Sequence, residues 1–165
     1  MSAWSEVDDT ECPIARSQSL VGERWTILVI RELFMGVSRF DGIQAQTGAT
    51  PQMLAARLKK LEEAGLIERR PYSTRPLRYE YALTEMGLDF YPVILALRAW
   101  GEKWCKPRGK KLAVRYTHIP CGKDLGLGTV CRSCGAELKR SDLAAKLAPA
   151  YASEREQRAE QAKSS

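Results

Sequence analysis

The stretch ERWTILVIRELFMG, Glu23 to Gly36, is apolar at Trp25, Ile27, Leu28, Val29, Ile30, Leu33 and Phe34. Apolar residues on almost every side predict a helix at the centre of a core. Ahead of it, Cys12-Pro13 opens a shorter helix, with proline at the first helical position, where no N–H is needed; Gly22 punctuates its end. After it, SRFDGIQAQTG predicts a third helix capped by Ser38, with Phe40 and Ile43 on one face and Gly48 closing it. A fourth follows in ATPQMLAARLKKLEEAG, where Thr50 is the N-cap and Pro51 takes the first position. Its buried stripe is Leu54, Leu58 and Leu61. At 100° per residue the opposite face holds Gln52, Ala56, Lys59 and Glu63, flanked by Met53, Arg57 and Lys60. Gly65 supplies the left-handed residue that ends the helix.

The period then changes. LIERRP reads as extended chain, and LRYEYAL alternates, with Leu77, Tyr79, Tyr81 and Leu83 on one side and Arg78, Glu80 and Ala82 on the other. With YSTRP as the turn, this predicts a β-hairpin bearing Arg69, Arg70, Arg75 and Arg78. Thr84 caps a long helix with a heptad-like seam of Met86, Phe90, Val93, Leu97, Trp100 and Trp104; Pro92 inside it predicts a kink. Lys106 to Lys111 reads as a basic linker. A Gly-rich segment with His118, Cys121, Cys131 and Cys134 follows, and from Ser141 onward a short helix and a frayed tail. The expected fold is mainly α with a small β-hairpin wing (α+β): a winged helix-turn-helix domain over 12–104, a linker over 105–111, a small Cys-rich, zinc-ribbon-like extension over 112–140, and the tail over 141–165.

Three helices followed at once by a basic hairpin suggest how the chain meets DNA. The second helix of a helix-turn-helix enters the major groove, and the hairpin forms a wing beside it. Charge supports this. Residues 50–84 carry net +3 and residues 105–140 net +7, within a chain of net +6, so positive charge is concentrated where a polyanion would bind. Gln52, Lys59 and Lys60 are placed to hydrogen-bond base edges, while Met53 and Ala56 are limited to apolar contacts. Ser38, Arg39, Thr50, Arg57, Arg69, Arg70, Arg75 and Arg78 complete the expected DNA-binding set, with the arginines placed along phosphates. The competing reading of Lys59, Lys60, Glu62 and Glu63 is an ordinary solvated helix face.

The segments CPIARSQSLVGERWTILVIRELFMGVSRFDGIQAQTG, MLAARLKKLEEAGLIERRPYSTRPLRYEYALTEMG and YPVILALRAWGEKW resemble the HxlR family of bacterial, MarR-like winged-helix transcriptional regulators, over about residues 12–104. The resemblance implies a cytoplasmic homodimer held by the N-terminal and long C-terminal helices, addressing a pseudo-palindromic double-stranded operator. Phe90, Val93, Leu97, Trp100 and Trp104 would form the interface; burial within one chain is the alternative from periodicity. Two reading helices would then lie about one DNA turn, ~34 Å, apart. A dimer that occupies a promoter represses by exclusion, although some relatives activate. Cys12 aligns with a cysteine that several members use to sense oxidants or electrophiles. The helix N-terminus favours its thiolate, and a small buried residue is the competing role. A redox or small-molecule effector is thus open.

Five cysteines, two of them as Cys131-x-x-Cys134, point in a reducing compartment to metal or redox chemistry before structural disulfides. His118-x2-Cys121-x9-Cys131-x2-Cys134 offers four ligands in two pairs, the donor set of tetrahedral zinc, and Gly122 and Gly135 follow the second member of each pair. One structural zinc per chain would stabilise a segment too small for its own core. The alternatives are unligated residues or an oxidised Cys131–Cys134 pair.

Enzymatic activity is not expected. His118 is the only histidine and lies among the cysteines, and no phosphate-binding Gly-rich motif occurs. No apolar run reaches the ~18–20 residues of a membrane span, and the acidic N-terminus lacks the apolar stretch of a signal peptide. The rival from another class is a protein- or RNA-interaction module acting through the basic Cys-rich tail.

Overall fold

A computed structural model describes residues 10–107 and 109–164; the acidic N-terminal nine residues, Arg108 of the expected linker, and Ser165 lie outside the described residues. The chain forms two compact units, one ending at Gly87 and one starting at Leu88.

The first unit is helical with one hairpin. It contains α1 (Pro13–Val21), α2 (Thr26–Phe34), α3 (Phe40–Thr47), α4 (Pro51–Glu63), β1 (Ile67–Thr74) and β2 (Leu77–Leu83), with α5 (Glu85–Leu88) at its end. Its core is built from α2, α3 and α4: Val29, Ile30, Phe34, Ile43, Leu54, Leu58 and Leu61 are buried, joined by Leu66 and Ile67 at the start of the hairpin. This is the placement the three-to-four-residue spacing predicts for α4. The cap is also as expected: the Thr50 hydroxyl accepts the Met53 N–H at 3.3 Å. Gly65 follows the helix with φ of 78°.

Three details of this unit differ from the sequence reading. Ser38 does not cap α3. Arg39 holds that position without a side-chain bond, because Ser38 is drawn to the hairpin: its carbonyl accepts the Tyr81 N–H at 2.8 Å and its hydroxyl lies 3.4 Å from Glu80 Oε2. The strands also run further than expected. Tyr72, Ser73 and Thr74 belong to β1, so the turn is only Arg75-Pro76, joined by a cis peptide, and an irregularity at Tyr72 absorbs the odd residue. Finally, alternation does not translate into one buried face. Leu77 is 58% exposed and Tyr79 39%, because the outer half of the hairpin projects beyond the core.

The second unit holds α6 (Tyr91–Trp104), a three-stranded antiparallel sheet, and α7 (Pro149–Ser164). The sheet order is β4 (Lys123–Asp124), β3 (Val114–His118), β5 (Leu143–Leu147). Tyr91, Leu95, Val114, Leu125, Cys131, Leu138 and Leu143 are buried in it. The expected continuous helix from Thr84 is two helices, and Pro92 causes no kink. It sits in the first turn of α6, where proline costs no hydrogen bond. Thr84 caps only α5, accepting the Gly87 N–H at 3.2 Å. The tail beyond Ser141 is likewise reassigned. Leu143–Leu147 is a full partner of β3, so the sheet closes after residue 140, and α7 is a continuous 16-residue helix. None of the side chains of α7 is buried; pairs one turn apart, such as Glu154–Arg158 at 2.6 Å, support it instead.

Candidate nucleic-acid interface and metal centre

The outward face of α4 carries the groups a major groove would meet. Thr50, Gln52, Ala56 and Lys59 are exposed and Met53 is half-buried. Among the described residues Lys59 pairs with Glu63 alone, 3.7 Å away, and both are well exposed. Arg57 and Lys60, expected beside them, point back into the protein. Lys60 Nζ donates to the Ser19 carbonyl and to Glu23, each at 2.8 Å. Arg57 Nε donates to the Arg24 carbonyl at 3.1 Å, and its guanidinium pairs with Glu23. Together they clasp α4 to the turn between α1 and α2. That turn is strained, since Trp25, a non-glycine residue, has φ of 79°.

The wing continues the basic surface from β1 to β2. Arg75 and Arg78 are exposed at and just after its tip. Arg70 Nε donates to Glu68 at 2.8 Å. Arg69 donates to Glu62 at 2.9 Å and lies 5.2 Å over the Tyr79 ring; that hydrogen bond raises its pKa above the usual guanidinium value. Arg39 stacks over Tyr72 at 4.3 Å, which ties the start of α3 to the wing. An exposed helix face thus adjoins a two-stranded arm of cations.

The four expected metal ligands come together in the second unit. The donor atoms of His118, Cys121, Cys131 and Cys134 all lie within 4.8 Å of one another. His118 Nδ1 is 3.1 Å from Cys121 Sγ and 3.5 Å from Cys134 Sγ, and Cys121 Sγ is 3.6 Å from Cys131 Sγ. Two tight turns produce this. The Gly122 N–H donates to the His118 carbonyl and the Gly135 N–H to the Cys131 carbonyl, each at 2.8 Å, with φ of 66° and 74° at the glycines. Side chains would be strained in that left-handed region. The backbone N–H groups of Cys134 and Ser133 hold the Cys131 sulfur and lower its pKa to about 6. Cys134 moves the other way, raised by the neighbouring thiols of Cys131 and Cys121 and by burial, although the Ala136 N–H opposes the shift. Three cysteine sulfurs and one imidazole nitrogen converging this closely make a soft N/S donor set of four, which fits zinc.

The seam of α6 faces outward. Val93 and Leu97 are more than 40% exposed, Trp100 60% and Trp104 63%, while Phe90 is half-buried. The opposite stripe of the same helix was not anticipated. Tyr91, Leu95, Arg98 and Glu102 repeat at spacings of 4, 3 and 4 and pack on the sheet. Arg98 donates to the carbonyls of Val114 at 2.5 Å and Gly126 at 3.1 Å, and stacks over Tyr116 at 4.8 Å. Burial lowers its pKa from the ordinary guanidinium value. Glu102 accepts the Ala113 N–H at 2.8 Å and pairs with Lys106. The repeat was readable in the sequence, but its two charged members disguised it as a solvent face. Cys12 is exposed at the N-cap of α1, and its own N–H donates to Thr10 Oγ1 at 3.2 Å.

Comparison with known proteins places these features in context. The HxlR-like helix-turn-helix family matches residues 20–109. An uncharacterized HTH-type transcriptional regulator of Mycobacterium tuberculosis, Rv3095, is 37% identical over 138 residues, covering 84% of this chain and 87% of its own. That span must reach past residue 104 into the sheet unit. The crystal structure of PA1607, described as a candidate transcription factor, superposes with a TM-score of 0.67 at 30% identity, covering 83% of this chain and 95% of its own. The oxidised form of the redox regulator HypR superposes with a TM-score of 0.52 at 29% identity, over 56% of this chain and 96% of its own.

Proposed function

Because this chain belongs to the family of HxlR-like helix-turn-helix transcriptional regulators, which bind DNA and are not enzymes, we propose that it is a homodimeric repressor of a pseudo-palindromic operator. The observation that carries this reading is the exposed face of α4, Gln52, Ala56 and Lys59, placed directly before a wing whose Arg75 and Arg78 are free to follow phosphates. Gln52 and Lys59 read base edges, Met53 and Ala56 contact thymine methyls, and Ser38, Arg39, Thr50, Arg69, Arg70, Arg75 and Arg78 fix the register on the backbone. Arg57 and Lys60 support the reading helix from behind. Among the described residues no helix is long and apolar enough to cross a membrane. As a DNA-binding regulator, the protein works on this reading in the cytoplasm. Two bound protomers exclude polymerase from a promoter.

His118, Cys121, Cys131 and Cys134 hold one structural zinc, supported by the convergence of their donor atoms. The metal would supply the cross-link that this small sheet needs in place of a larger core. Cys12 is the oxidant-sensing residue on this reading, supported by its exposure at a helix N-terminus and by the likeness to a protein described as a redox regulator. Diamide is expected to weaken operator binding, and Cys12→Ser to abolish that response; undiminished sensitivity in the variant would remove Cys12 from the mechanism.

The test of the main reading is fluorescence anisotropy of the reduced protein on DNA from immediately upstream of its own gene, against scrambled DNA, over a salt series. Tight binding that prefers its own DNA is expected, with a log–log salt slope of about −0.9 per phosphate neutralised. The double charge reversal Lys59→Glu, Arg75→Glu should abolish it. Binding of the reversed protein at unchanged affinity would mean that the winged helix is not the reading element.

A further inference from the structure

The solvent side of the C-terminal sheet holds a second site, remote in sequence from the reading helix. An open groove of about 720 Å³ is lined by Leu112, Thr117, Leu147, Ala148 and Pro149 together with the charged Lys111, Arg115, Asp124 and Lys146. Its charge arrangement is not what stability favours. Arg115 and Lys146 are direct cross-strand partners in the β3–β5 ladder, and like charges opposite one another destabilise a sheet. One carboxylate is present, and it is already engaged. Asp124 accepts from the Arg115 guanidinium at 2.9 Å and from the Gly126 N–H at 2.8 Å, so it fixes the Arg115 head rather than neutralising the lysines. Among the described residues, neither Lys111 nor Lys146 has an acidic partner across the groove.

We propose that this groove binds a small amphipathic anion, a carboxylate carried on a short apolar body. Lys111 and Lys146 take the carboxylate, with Arg115 as the fixed third cation, and the carbon body lies on Leu112, Leu147 and Pro149. The volume falls in the range of small-molecule sites, and apolar surface beside a few charged groups is a composition such sites use. An extended nucleic-acid backbone fits these features less well. Single strands need stacking platforms, and no aromatic residue lines the groove; duplex phosphates gain nothing from an apolar floor. The site is independent of the DNA-reading proposal and stands or falls without it.

The experiment is isothermal titration calorimetry of the full-length protein with octanoate, with octylammonium and inorganic phosphate as controls. Saturable binding of one octanoate per chain is expected, at least tenfold tighter than either control. Lys146→Glu should weaken it at least tenfold. Lys111→Met with Lys146→Met, which removes charge without adding a carboxylate, should weaken it by a similar factor. Both lysines are exposed, and circular dichroism checks that the variants stay folded. No octanoate binding, or equal binding to the variants, would overturn the proposal. So would a fall of about two in the salt slope of DNA binding on removing the two lysines, at ~0.9 per cation, without any octanoate binding: the groove would then be a polyanion surface.

Discussion

Lys59 and Lys60 are adjacent in the chain, yet their ammonium groups meet different surroundings. Lys59 is exposed and tethered to Glu63, while Lys60 donates to the Ser19 carbonyl and pairs with Glu23. Substitution by methionine should therefore separate binding from stability. Lys59→Met is expected to lower operator affinity about tenfold with an unchanged Tm, the loss of a base-edge contact being worth ~1–3 kcal/mol. Lys60→Met should leave base preference alone and lower the Tm by a few degrees, since half-exposed ion pairs of this kind contribute up to about 1 kcal/mol. Anisotropy and thermal melts on the same samples check both; a Lys60 variant with normal Tm and altered base preference would return that residue to the DNA face. Helical phase alone placed the two lysines on adjoining faces. It could not show that Glu23, more than thirty residues earlier, would claim Lys60 and Arg57, because that pairing depends on the tertiary approach of the α1–α2 turn.

At the scale of elements, α4 and its cap were legible because local chemistry decides them: Thr50, Pro51 and the leucine stripe agree with one another. Pro92 was misread because a proline inside an apolar repeat signals either a kink or a new start, and only packing of Tyr91 and Leu95 on the sheet selects the second. β5 carried little sequence signal. Leu143-Ala-Ala-Lys-Leu147 favours helix over strand by propensity, and its pairing with β3 is non-local. The metal turns were the opposite case, since Cys and Gly spacing is itself the geometry. The ribbon gives the prediction at this scale. Purified protein should contain one zinc per chain by elemental analysis. Chelation by EDTA, or Cys131→Ser, should melt the sheet first, seen as proteolysis between residues 112 and 147 while the winged-helix segment stays protected. Arg98 and Glu102 tie α6 to that sheet through Val114, Gly126 and Ala113, so α6 should lose hydrogen-exchange protection together with it. Metal-free protein with an intact, protease-resistant sheet would show that the ligand cluster is not a zinc site.

For the whole molecule, the decisive feature is that α6 has two occupations. Its inner stripe is spent on the sheet, and its outer stripe leaves Val93, Leu97, Trp100 and Trp104 in solvent. Two exposed tryptophans one turn apart are costly to leave unpaired, and a heptad-like seam matches another copy of itself. A second copy also solves the recognition problem. One reading helix specifies only a few base pairs, whereas two on a symmetric dimer multiply the discrimination, the second half-site being engaged at high effective concentration. Trp100→Glu with Trp104→Glu places two carboxylates in the seam of each protomer. Light scattering should then change from dimer to monomer at micromolar concentration. Affinity for a full palindrome should fall at least a hundredfold, while affinity for an isolated half-site stays within a few-fold of the unsubstituted protein. That split is the informative outcome. Equal losses on both DNAs would point to a damaged winged helix, and a substituted protein that remains dimeric would move the interface away from α6 altogether.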